Sequence, residues 1–201
     1  MISPEEVLAL WFGEEPLDGR AAFDARMALW FGGDEASDLR VREALGGPSE
    51  RALEGAFDAW AAAPRSRLAL ILLLDQVPRN VHRETPRAFA GDARAYALAE
   101  EGIERLAMDR ELSVPERLFF NMPRGHSEEA SVQERAYAYL RSLYPSAPPF
   151  YEKVFDGIAK KHVEVARRFG RFPQRNATLG RASTPDELAY LEDLKRSGAR
   201  F

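Results

Sequence analysis

Two segments rich in arginine and asparagine carry the densest chemistry in this chain. Residues 75–86 hold Asp75, Gln76, Pro78, Arg79, Asn80, Arg83 and the pair Thr85-Pro86. Residues 171–185 hold Arg171, Pro173, Arg175, Asn176, Arg181 and the pair Thr184-Pro185. A guanidinium is a planar fork of donors that fits a carboxylate or a phosphate. An asparagine amide both donates and accepts, so it can orient such a group. The repeated pattern points to a small anionic ligand. Arg79, Arg175 and Arg181 would hold it and Asn80 and Asn176 would orient it. Asp75, Gln76, Arg83 and Arg171 would line the same site. The competing reading has these arginines locking helix ends through internal partners such as Asp75, Glu84 and Glu128.

Three such charge-assisted hydrogen bonds net roughly 4–9 kcal/mol before association costs. Micromolar binding needs about 8 kcal/mol. Arginines alone therefore hold a small anion weakly, and apolar walls are required. Trp11, Trp30, Phe31, Phe119, Phe120 and Phe172 are the aromatic candidates.

The chain has three histidines, His82, His126 and His162. His126 precedes Ser127, Glu128 and Glu129, a pattern that reads as a helix start with Ser127 as its cap. An imidazole titrates near neutrality, so His126, or else Glu128, is the candidate to handle a proton if chemistry occurs. His162 falls on the helical stripe Ile158, His162, Val165, Phe169. It reads either as a core histidine or as one lining a pocket beside the second loop. His82 reads as loop surface. No two histidines have the i, i+4 spacing of a helical zinc site, so no metal is expected. No nucleotide or flavin fingerprint is present, and no cofactor is expected.

The chain has 201 residues and no cysteine, which excludes disulfides, thiolate metal sites and cysteine nucleophiles. Its net charge is −4, and 24 of its 28 basic residues are arginine. Acidic residues dominate positions 1–63, where 13 carboxylates face 5 cations, while positions 160–181 carry 7 cations and one carboxylate. Net acidity and the lack of a recognised module argue against a nucleic-acid partner. The longest apolar run, Leu68–Leu74, falls well short of the roughly 20 residues a membrane span needs. The acidic start lacks the cationic region of a signal peptide, so a soluble cytoplasmic protein is expected. Self-association is left open.

The elements that must position these residues are helices. Ser3-Pro4-Glu5-Glu6, Ser113-Val-Pro-Glu116 and Thr184-Pro185-Asp186-Glu187 have capping-box spacing. Gly13, Gly46 and Gly170 mark stops. Apolar residues recur at helical offsets, and no stretch alternates with period two. The spacing predicts helices near 4–12, 20–31, 35–46, 49–62, 66–76, 86–103, 114–121, 128–143, 151–169 and 185–197. This gives one all-α domain over residues 1–201, with some nine or ten antiparallel helices. The loops 77–85 and 170–184 are its two long, chemically rich connections.

Five ordered stretches resemble the bacterial domain-of-unknown-function family 924. They are Val7-Leu-Ala-Leu-Trp11-Phe12-Gly13; the run from Leu70 to Asn80; Thr85-Pro-Arg-Ala-Phe89; His126-Ser127-Glu128 with Gln133; and the run from Phe169 to Glu187. The resemblance implies a helical array similar to the tetratricopeptide-repeat superfamily, and no established activity. It brings in Gln133 as a further site residue. A tetratricopeptide-like groove clamping an acidic peptide is the alternative function, and a ligand-free scaffold is the third. Two departures stand out. Gln174 occupies a place where the family pattern usually has histidine, and Arg124-Gly125 precedes His126 where that pattern is apolar.

Overall fold

The computed structural model describes residues 2–31 and 35–198. Among them are ten α-helical segments: α1 (Pro4–Phe12), α2 (Arg20–Phe31), α3 (Glu35–Leu53), α4 (Pro64–Ile71), α5 (Val77–Val81), α6 (Asp92–Glu104), α7 (Val114–Gly125), α8 (Ala130–Leu143), α9 (Pro149–Phe169) and α10 (Pro185–Ser197). No strand occurs among the described residues. The expected capping boxes form. Ser3 and Thr184 accept from the backbone N–H of Glu6 and Glu187, and the N–H of Ser113 donates to Glu116 Oε2 at 2.9 Å.

The run Leu68–Leu74 is helical and fully buried at the centre of the main core. It continues as a π-helical turn, Leu72–Gln76, that joins α4 to α5 without a break. The segment expected as loop 77–85 is thus helical as far as Val81. The wide turn has a chemical cause and a consequence. The N–H of Val77 donates to Leu72 O, five residues back, and Pro78 has no N–H to give. The carbonyls of Leu73 and Leu74 lose their α-helical donors. Ser49 Oγ donates to Leu73 O at 2.7 Å. Leu74 O lies against Gly91, where an added Cβ would stand 2.2 Å from it.

Four other boundaries differ from the sequence expectation. The expected helix 49–62 is broken: its first residues complete α3, a turn with Gly55 in the left-handed region at φ +90° follows, and Asp58–Ala62 forms a 3₁₀ helix. Gly46 does not stop its helix: α3 runs through Gly46-Gly47-Pro48 to Leu53. The buried residues Val41, Leu45, Ser49 and Ala52 form one unbroken face across the glycines, and burial of that face outweighs their low helix propensity. The expected helix 86–103 is split into a 3₁₀ turn, Pro86–Phe89, and α6, which begins after Gly91. The expected helix 114–121 continues through Pro123 to Gly125, and α8 begins only at Ala130. His126 therefore ends α7 rather than starting α8, and its N–H donates to Met122 O at 3.1 Å. Ser127 is not the cap of α8. Its Oγ accepts from the Glu129 N–H at 3.2 Å.

A smaller apolar cluster, Val165, Ala166 and Phe172, anchors the C-terminal loop. Gly170 ends α9 in the left-handed region at φ +66°, which turns the chain back toward α7. No helix among the described residues is long and apolar enough to cross a membrane.

Candidate functional site

Asp75 is fully buried and is the hub of a polar cluster. The π turn places it one helical turn before Arg79, and Arg79 Nη1 donates to both Asp75 O (2.7 Å) and Asp75 Oδ1 (3.1 Å). Gln76 Nε2 also donates to its carboxylate. The end of α7 brings His126 Nδ1 to 2.8 Å from Asp75 Oδ1. Burial would raise the Asp75 pKa, but Arg79 and His126 outweigh it and hold the carboxyl well below its usual range. His126 is pushed the other way. Burial and the Arg79 charge lower its pKa against the pull of Asp75, which favours a neutral imidazole. A carboxylate at Nδ1 fixes that proton and leaves Nε2 as the basic nitrogen. Nε2 has no hydrogen-bond partner among the described residues, and the His126 side chain is 16% exposed.

The second loop arrives from the other side. Arg175 is 13% exposed, and its Nη1 stands 3.9 Å from Asp92 Oδ2 and 4.0 Å from Glu128 Oε1. The guanidinium lies over the ring faces of Phe89 (5.0 Å) and Phe172 (4.8 Å). Arg79 lies over the same Phe89 ring at 5.6 Å. Burial and repulsion by Arg79 lower the Arg175 pKa to about 10. The two arginine segments thus meet at one ring and one carboxylate. Asp92 closes the arrangement with two bonds of 2.8 Å to Arg79.

Glu128 ties the loop down. It accepts from the Phe172 N–H at 3.0 Å and from both terminal nitrogens of Arg181, at 2.6 and 2.9 Å. Burial would raise its pKa, but Arg181 and the Phe172 N–H lower it on balance. Gln133, on α8, donates to Gly125 O at 2.7 Å and also to Ser127 O, so it fixes the connector that carries His126. The His162 ring lies 5.2 Å from that of Phe172, tilted at 44°. Burial and the nearby His126 and Arg175 push its pKa down to about 3, which keeps it neutral.

Four expected site residues face elsewhere. Asn80 donates to Leu29 O at 2.9 Å and to Asp38, and Arg83 forms a two-bond pair with Asp38. Arg171 pairs with Glu187, and Asn176 bonds Ser183 and Glu187, so both fasten the start of α10. Of the proposed aromatic walls, Phe172 alone touches the cluster. Trp11, Trp30, Phe119 and Phe120 lie in the main core, and Phe31 packs on Phe155. Arg124 adds no charge to the cluster: it is buried against Glu100 and Glu104. His82, read as loop surface, makes a 2.8 Å contact to Glu50. Asp92 and Phe89 belong to the site although neither was expected there. Phe89 stood in the sequence only as the end of the Thr85-Pro-Arg-Ala-Phe89 stretch and as an apolar helix position, and nothing local distinguishes Asp92.

The cluster lies outside two clefts elsewhere on the surface. One, of about 680 Å³, lies between the α1 end and Tyr151, and the other, of about 310 Å³, lies at the α10 start. No group of three or more potential metal ligands forms among the described residues.

No curated protein matches this chain. A solved structure of a protein of unknown function from Agrobacterium tumefaciens is similar to it, with 33% identity and a TM-score of 0.76, covering 94% of this chain and 97% of that one. The family described as bacterial protein of unknown function, DUF924, matches residues 7–194. That match runs from within α1 to within α10 and takes in every helix between them, and the chain belongs to this family.

Proposed function

We propose that the cluster around Asp75, His126 and Arg175 binds a small molecule bearing a carboxylate or phosphate, with His126 moving a proton. In this reading the helices form the tetratricopeptide-like array expected from the resemblance, with the cluster on its concave side. The supporting observation is Arg175. It is nearly buried, yet its nearest carboxylates stand 3.9 and 4.0 Å away, beyond charge-assisted hydrogen-bond length. Its fork keeps donors for an incoming anion. The Asp75–His126 pair supports the chemical half of the reading. A neutral imidazole with Nδ1 held and Nε2 open is suited to general-base work.

The scaffold reading also has an observation in its favour. Arg79, Arg83, Arg171 and Arg181 are each bound to internal carboxylates. A thermal-shift screen of carboxylated and phosphorylated metabolites separates the two. Binding predicts a compound that raises Tm by several degrees in wild type and does not in Arg175→Met, since a ligand at 100 times its Kd adds about 2.7 kcal/mol. If every hit stabilises both proteins equally, Arg175 is no ligand contact and this anion site is overturned; if no compound stabilises wild type, the scaffold reading stands.

A further inference from the structure

We infer that this site selects a singly charged carboxylate over a doubly charged phosphate; the inference rests on the anion-binding reading above. The charge inventory decides it. Arg79, Arg175 and Arg181 face Asp75, Asp92 and Glu128, three cations against three carboxylates. His126 and His162 are held neutral by burial and neighbouring cations. Of the other charged groups on the packed elements, Lys161 on α9 adds a positive field near His162, and Arg124 on α7 is taken up by Glu100 and Glu104.

A first negative charge on the ligand meets the unfilled donors of Arg175. A second meets no further cation, because Arg79 and Arg181 already carry two-bond partners. It also lies beside Asp92 and Glu128, both within 4.0 Å of the Arg175 guanidinium. Asp92 cannot swing clear. It follows Gly91, which is wedged on the Leu74 carbonyl, and Arg79 grips both of its oxygens. Shape acts in the same direction. Arg175 lies over two ring faces, so the in-plane edge of its fork is the approach left, and a flat carboxylate fits that edge. Like-charge repulsion at this range in a partly desolvated site disfavours the dianion on the order of tenfold or more.

The test is calorimetric titration of the full chain with benzoate and phenyl phosphate, which share a ring and differ in charge. Acetate and inorganic phosphate serve as the ring-free pair. At pH 8 the carboxylates are expected to bind about tenfold more tightly than their phosphate counterparts. At pH 5.5 the gap narrows as the phosphates take up a proton and lose their second charge, a monoester's second pKa being about 6 and that of inorganic phosphate higher. Asp92→Asn narrows the gap at pH 8 without any change of ligand. Phosphate binding as tight as carboxylate at pH 8, abolished by Arg175→Met, overturns the selectivity and leaves the anion site intact. Absence of binding by all four probes to folded wild type removes the anion site and the selectivity together.

Discussion

His126 Nδ1 lies 2.8 Å from Asp75 Oδ1, across 51 positions of sequence. One partner sits on a π turn in the core and the other at the end of α7. The pair joins the α4–α5 segment to the end of α7, beside the loop that carries Arg175.

Replacing Asp75 with asparagine tests that joint. The change leaves Arg79 and His126 buried beside a neutral group. Breaking a buried ion pair by removing one partner costs about 3–5 kcal/mol. Asp92 still holds Arg79, so the low end is expected, which is a fall of about 6–12 °C in Tm for a chain of this size. Differential scanning calorimetry reads it, and an unchanged Tm would remove the joint from the stability account.

Acid should destabilise the protein through its histidines and then through Asp75. His126 and His162 have lowered folded-state pKa values, so the unfolded chain binds more protons below its histidine pKa of about 6.5. Their contribution is full above that pH and is lost as pH falls, down to about 3 for His162. Each adds about 1.4 kcal/mol per pH unit within its window. Asp75, also lowered, adds its loss only below about 3.9, the unfolded aspartate value. Urea midpoints between pH 8 and pH 4 should fall, and His162→Gln should flatten the slope. A slope unchanged in that variant means that His162 titrates normally.

Gly91→Ala should disrupt the site from outside it. The new Cβ would lie 2.2 Å from Leu74 O and 2.9 Å from Leu74 C, and neither backbone atom can rotate away. Overpacking in a tight interior costs about 1–3 kcal/mol. The 3₁₀ turn and α6 must shift, which parts Asp92 from Arg79. Urea denaturation should show the loss, and a variant as stable as wild type would mean that the contact relaxes freely.

Glu128→Gln should loosen the C-terminal loop while leaving the rest intact. Glu128 accepts from the Phe172 N–H and from Arg181. Loss of hydrogen bonds to a charged group costs about 1.5–3 kcal/mol each, less here because Glu128 is a quarter exposed. Hydrogen exchange should speed up at Phe172 and along 173–181, with the α4–α5 core unchanged. Uniform protection in both proteins would show that Phe172 burial alone holds the loop.

Sequence by itself determined the all-helical class, because capping boxes and period-3.6 stripes are local signals that need no partner. It also marked most members of the polar cluster, since Asp75, Arg79, His126, Glu128 and Arg175 carry recognisable chemistry. Tertiary packing decided the rest. Burial of one continuous face carried α3 through Gly46-Gly47-Pro48, and the Pro78 gap with the Ser49 contact set the π turn that aims Asp75. Which arginines stay available was likewise decided in space. Arg83 and Arg171 have the same chemistry as Arg175, yet Asp38 and Glu187 claim them, while Asp92 and Glu128 stop just short of Arg175. A guanidinium's freedom depends on where distant carboxylates land, and no local pattern records that.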